Sequence, residues 1–200
     1  MNDREKTIRS FIAIELTDEA RRGLAHLQGQ LKDILPPDTV RWTPARNIHL
    51  TLHFLGDVSA DHLDAVKDAI QESAAGTSSF SLSLSDLGCF PNTRRPRILW
   101  AGISGDTDLL AHIQGRLGIH LKQAIGFQPE SRTYSPHLTI GRVKRGVTKR
   151  QMRDLAVSLE KEIPRVGHLA TLPVEHIHFI RSDLKPDGPI YTTLAKASFQ

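Results

Sequence analysis

Cysteine is almost missing from this chain. Cys89 is the single one in 200 residues, so no internal disulfide can form, and a disulfide-built secreted scaffold is excluded. Its neighbours Leu87, Gly88 and Phe90 read as a strand end, where a thiol is a buried packing group rather than a nucleophile. No run of 18 apolar residues occurs, so no helical membrane span is expected. Residues 1–6 (MNDREK) are charged and carry no apolar signal stretch, which with the lone cysteine gives the expectation of a cytoplasmic protein. Gly-x-Ser-x-Gly is absent, as is a glycine-rich phosphate-cradling loop, which removes the hydrolase elbow and the nucleotide-binding P-loop. No cysteine pair or carboxylate stands at ligand spacing beside the histidines, so neither a metal nor another cofactor is expected.

Negative charge is in slight deficit. Lys and Arg number 26 against 22 Asp and Glu, a net charge of +4 with pI near 9.4. Arginines supply 17 of the 26, including Arg94, Arg95 and Arg97, and a basic loop runs from Arg142 through Lys144 and Arg145 to Arg150. A planar guanidinium makes two parallel hydrogen bonds to phosphate, so the balance leans toward an anionic partner.

The feature that stands out is a tetrapeptide present twice: His49-Leu50-Thr51-Leu52 and, 88 residues later, His137-Leu138-Thr139-Ile140. With 10 His and 14 Thr in the chain, chance gives about 0.7 His-x-Thr tripeptides, and fewer than about 0.1 when both remaining positions must be aliphatic. Each copy alternates polar with aliphatic at a period of two, the pattern of a half-buried strand. His and Thr then share one face, while Leu50, Leu52 and Phe54 of the first copy, and Leu138 and Ile140 of the second, enter the core. The same parity puts His53 beside His49. His176 and His178 also share a strand face, and read as sheet-lining residues.

The rest of the chain repeats around these motifs. A strand over 8–16 is followed by a helix capped at Thr17 or Asp18, a short strand at 40–43, the His49 strand, a helix capped by Ser59, and an alternating strand over 80–85. The second half restarts at 98–103, continues with a helix over 106–126, a short strand near Phe127, the His137 strand, a helix capped by Thr148, and a strand over 174–180; residues 191–194 form the last strand. Phe11 precedes His49 by 38 residues, and Leu99 precedes His137 by 38. The shared spacing is that of a duplicated unit, spanning approximately 8–87 and 97–182 within a single 200-residue domain. The fold expected is α+β: two pseudo-symmetric lobes, each a mostly antiparallel sheet with outer helices, around a cleft that holds both His-x-Thr pairs.

Two imidazoles can act as general base and general acid at one pH, and two hydroxyls can donate to the non-bridging oxygens of a phosphate. The motifs, with RSFIAIEL at 9–16, VRW at 40–42, NIHLTLHFLG at 47–56, PRILWAG at 96–102 and YSPHLTIGR at 134–142, resemble the two-histidine phosphoesterase superfamily. Within it they resemble the bacterial and archaeal RNA 2′,3′-cyclic phosphodiesterases, historically called 2′-5′ RNA ligases. The resemblance implies opening of a 2′,3′-cyclic phosphate at an RNA 3′ end, or on a nucleotide, to the 2′-phosphomonoester without a metal. It also implies ATP-independent joining of such an end to a 5′-hydroxyl. It makes His49 and His137 the acid–base pair, with the first usually the acid, and Thr51 and Thr139 the phosphate donors. Arg142 becomes a phosphate-binding residue. Strand parity places Arg142 away from His137 unless Gly141 permits a bulge. Phe11 is a candidate for stacking on a base. A monomer is expected, and the alternative to an enzyme is a binding module for phosphorylated RNA ends.

Overall fold

The computed structural model describes residues 7–200. In chain order the elements are β1 (Thr7–Ile14), α1 (Asp18–Ile34), β2 (Val40–Trp42), β3 (Leu50–Ser59), α2 (Leu63–Ala74), β4 (Phe80–Phe90), β5 (Ile98–Gly105), α3 (Thr107–Ile125), β6 (His137–Val143), α4 (Lys149–Glu162), β7 (His168–Val174), β8 (His176–Lys185) and β9 (Gly188–Ser198).

Local chemistry sets three of the helix ends. The Thr17 hydroxyl accepts the Ala20 N–H at 3.2 Å, satisfying a donor with no partner inside α1. Thr148 and Gln151 form a reciprocal capping box on α4. At the end of α3, Gly126 turns left-handed with φ of 68°, where a Cβ would be strained. The expected Ser59 cap is not used: β3 extends through Ser59, and a single 3-10 turn (Ala60–His62) leads into α2.

The strands build two antiparallel sheets, β3-β1-β8-β9 and β2-β6-β5-β4-β7. The halves of the sequence are therefore interleaved. β2 and β4, from the first half, join the β5-β6 sheet; β8 and β9, from the second, join the β1-β3 sheet. Two of the helices, α1 and α3, cross over in the same way. α2 and α3 pack on the sheet carrying β3, while α1, which follows β1, packs on β7. One continuous core of Leu, Ile, Val and Ala fills the space beneath these helices. Phe11, Ala13 and Ile180, with Tyr191, form a smaller cluster on the other face of the first sheet.

Two expectations about strands need correction. The strand expected over 174–180 begins at His176, and before it residues 168–174 form β7, an unexpected edge strand whose Leu-Ala-Thr-Leu-Pro-Val run is short and contains a proline. The short strand expected near Phe127 does not form; Gly126–Pro136 is irregular. Pro129 and Pro136 remove ladder donors there, and the Phe127 ring packs edge-on against His53 at 5.2 Å instead.

Candidate active site

Both histidines sit where their strands begin, and the backbone orients them alike. His49 Nδ1–H donates to the Asn47 carbonyl at 2.9 Å, and His137 Nδ1–H donates to the Ser135 carbonyl at 2.7 Å. A carbonyl accepts only, so in the neutral ring this contact fixes the proton on Nδ1 and leaves the Nε2 lone pair free. His49, Thr51, His137, Thr139 and Arg142 line one cavity of about 920 Å³, near the top of the size range of ligand pockets. The loops are tied across it: Tyr134 Oη donates to the Thr51 carbonyl at 3.0 Å, linking the approach to the second motif with the strand of the first. Burial pushes the Tyr134 phenol up, so it remains a donor.

Aromatic rings back each imidazole. The Phe11 ring stacks on His49 with centroids 4.4 Å apart, and Tyr191 meets it edge-on at 5.3 Å. Phe90 meets His137 edge-on at 5.0 Å and lies 5.3 Å from Trp100. Gly88 makes room for that indole, because a Cβ there would fall 2.1 Å from a Trp100 ring atom. The two surroundings are not equivalent. Burial lowers His49 to about 4, against the smaller raising effects of the Asn47 carbonyl and the Glu15 charge. At neutral pH its imidazole is uncharged.

A bulge follows each threonine and decides what the next residues do. On β3, Thr51 pairs with Ala13 and His53 with Ile12, so Leu52 has no partner on β1. On β6, Thr139 pairs with Trp100 and Gly141 with Leu99, so Ile140 has none on β5. One extra residue inverts the alternation beyond it, on β3 as far as a second bulge that leaves Leu55 without a partner on β1. The freed Ile140 carbonyl is taken up by the Thr43 N–H at 3.0 Å and by Nε2 of buried Gln28 at 2.7 Å. That second bond, from a helix residue 112 positions away, had no signal in the sequence.

The bulges reassign three residues. Arg142 comes round to the cleft side and lines the cavity, the outcome that parity alone opposed. Gly141 lets β2 close on the bulge, since a Cβ there would fall 2.7 Å from the Val40 side chain. Phe54, expected in the core, is 61% exposed on the cavity wall. His53, expected beside His49, is 5% exposed and turned to α3, where its Nε2–H donates to the Gln114 carbonyl at 2.9 Å.

Phe11 also needs correction. It is 3% exposed, with His49 over its ring and Phe54 and Tyr191 around it, so no face is left for a base. It is a support for His49, and Phe54 is the most exposed of the aromatic residues that line the cavity, with Trp42, Phe127, Tyr134 and Tyr191 half-buried around it. Cys89 is buried, and burial raises its thiol, as a packing residue requires. His176 and His178 lie half-buried on one face of β8 with ring centroids 6.0 Å apart. Among the described residues, no three His, Cys, Asp or Glu side chains converge as a metal site, and no helix is long and apolar enough to cross a membrane.

Two antiparallel sheets with outer helices, joined at a cleft that carries a His-x-Thr pair from each, define a two-histidine phosphoesterase. The profile of the LigT-like phosphoesterases matches residues 14–100 and again 106–191, and the chain belongs to that family. It is 32% identical to an RNA 2′,3′-cyclic phosphodiesterase of Methanothermobacter thermautotrophicus over 187 residues, covering 94% of this chain and 96% of that protein. It is 29% identical to the protein of the same name from Thermotoga maritima, covering 96% of each. Among solved structures, TT0787 of Thermus thermophilus superposes with a TM-score of 0.76 at 26% identity, covering 96% of this chain and 97% of that one. E. coli LigT complexed with 3′-AMP shares the fold, with a TM-score of 0.74 at 24% identity over 97% of this chain and 99% of that one.

Proposed function

We propose that this protein hydrolyses RNA or nucleoside 2′,3′-cyclic phosphates to 2′-phosphomonoesters, without a metal, by paired-histidine acid–base catalysis. The observation that carries the reading is the matched orientation of His49 and His137, each held through Nδ1 by the carbonyl two residues earlier, with a threonine beside it in one cavity. Family membership and the curated relatives named RNA 2′,3′-cyclic phosphodiesterase support the substrate class.

The cyclic phosphate lies between the two motifs. Thr51 and Thr139 donate to its non-bridging oxygens, and Arg142 stands further along the same cavity wall. One imidazole Nε2 takes a proton from water as the water oxygen bonds to phosphorus. The bond from phosphorus to O3′ breaks, and the imidazolium opposite gives its proton to that oxygen. Burial holds His49 neutral, the form a base needs, which favours His49 as base and His137 as acid. That order is the reverse of the one usual for the family. A 5′-hydroxyl in place of water would give 2′-5′ ligation at the same site. We also read the chain as one duplicated unit, because motif, carbonyl latch and bulge recur at matching places in both halves.

The test is incubation with a 2′,3′-cyclic nucleotide and chelator, products resolved by chromatography, beside His137→Ala. A 2′-phosphate product lost in the variant is the expected result. Inhibition by chelator would overturn metal independence. Tight binding of phosphorylated ends with no product would make the protein a binding module.

A further inference from the structure

β2 is three residues long and forms the edge of its sheet beside β6. Val40 is buried, and Val40 and Trp42 both pack toward Gly141 on the core side. Arg41, between them, points the other way and is exposed on the cavity wall. Its direct cross-strand partner is Arg142, which the Ile140 bulge has turned to the same side. Side chains directly opposite on an antiparallel pair have Cβ atoms about 4.5–5.5 Å apart, and like charges placed so are destabilising. The ion pairs among the described residues involve neither arginine. Glu130 and Asp187, which also line the cavity, pair with neither.

Two arginines opposite each other on neighbouring strands, in no ion pair among the described residues, are unfavourable without an anion and can form an anion site with one, since each guanidinium offers a planar fork of donors. The scissile phosphate is placed by the two threonines. Arg142 lies three residues beyond Thr139, about 7–10 Å along the strand after allowing for the bulge. The site it makes with Arg41 is therefore a second phosphate position along the same wall.

Building on the activity proposed above, we infer that Arg41 and Arg142 bind the phosphodiester joining the terminal nucleotide to its 5′ neighbour. The preferred substrate is then an oligonucleotide end rather than a free cyclic mononucleotide. Arg41 is a specificity residue: it contributes only when that second phosphate is present.

The experiment measures kcat/KM on a dinucleotide ending in a 2′,3′-cyclic phosphate and on the cyclic mononucleotide of the same terminal base. The full chain is compared with Arg41→Gln and with Arg22→Gln, which removes the same charge from the exposed side of α1. The unaltered chain is expected to favour the dinucleotide at least tenfold. Arg41→Gln should lose at least tenfold on the dinucleotide and less than twofold on the mononucleotide, while Arg22→Gln changes neither. A dinucleotide with an uncharged methylphosphonate linkage should behave with the unaltered chain as the native one does with Arg41→Gln. Relief of the like-charge contact means that Arg41→Gln should not lower Tm. Equal losses on both substrates, or none on either, would overturn the inference. If the unaltered chain turns over neither substrate, the activity itself is wrong. Binding of the labelled 2′-phosphorylated dinucleotide against the mononucleotide, in the same proteins, then decides the subsite separately: a preference lost in Arg41→Gln supports it, and equal affinity overturns it.

Discussion

The Phe11 ring lies on the His49 imidazole with centroids 4.4 Å apart and planes inclined by 21°, so a residue 38 positions upstream seals one face of the imidazole from water. Sealing lowers His49 from 6.5 to about 4. With His49 as the base, the acid limb of kcat/KM should lie near pH 4, where the imidazole takes up its proton. Phe11→Leu should admit water and move that acid limb up toward 6.5. A protein in which His49 is the acid would instead lose activity as pH rises above about 4, so the pH–rate profile also decides the order of the two histidines.

The same burial has a stability consequence. The unfolded chain binds the His49 proton near 6.5, and the folded chain only near 4. The folded state therefore loses stability as pH falls from about 6.5 to about 4, and this contribution is constant above 6.5. Urea melts across that range should show a midpoint that drops on the acid side, and His49→Gln should reduce the drop.

Removing either imidazole should be severe for turnover and mild for the fold. His49→Ala and His137→Ala are each expected to lower kcat by about 10²–10⁴-fold, the usual contribution of general acid–base catalysis. Thr51→Val and Thr139→Val keep the shape of each strand and remove one donor, for a loss of about 10²–10³-fold. Circular dichroism melts would separate these effects from unfolding. A Thr139→Val enzyme with unchanged kcat would remove that hydroxyl from the transition state.

Gln28 stabilises the second bulge from outside the site. Its Nε2 donates to the Thr43 and Ile140 carbonyls at 2.8 and 2.7 Å. Gln28→Leu should cost about 1–3 kcal/mol, because buried acceptors lose their donor. Turnover should fall further than the loss of folded protein explains, since Ile140 follows Thr139. Denaturant unfolding beside kcat measures both.

His53 provides a control on the site's boundary. It is buried, and its bond to the Gln114 carbonyl joins β3 to α3. His53→Leu should lower stability by about 1–3 kcal/mol and leave both limbs of the pH–rate profile where they were. A shifted limb would put His53 among the titrating groups.

Much of this protein is determined by its sequence alone. Alternation of polar and aliphatic residues makes β3 and β6 strands with His and Thr on one face, a consequence of the period of two that any extended chain imposes. Thr17 and Thr148 start their helices because a hydroxyl there meets a free backbone donor. The recurring motif marks the chemistry, and the proteins to which the chain is related bear out the family it suggests.

What the tertiary structure decided begins at the bulges. Whether Leu52 and Ile140 stay in register depends on partners across the sheet and, for Ile140, on Gln28 in a helix 112 residues away. The slip at Leu52 sent Phe54 to the cavity and His53 to α3, and the slip at Ile140 sent Arg142 to the cleft. Strand exchange between the halves is equally non-local: it brings Arg41 of β2 beside Arg142 of β6. The burial that sets His49 apart from His137 comes from Phe11 and Tyr191 on two other strands of its sheet. Local pattern decides which face a side chain takes within an unbroken strand; packing between distant segments decides where the strand breaks and how much water reaches each ring.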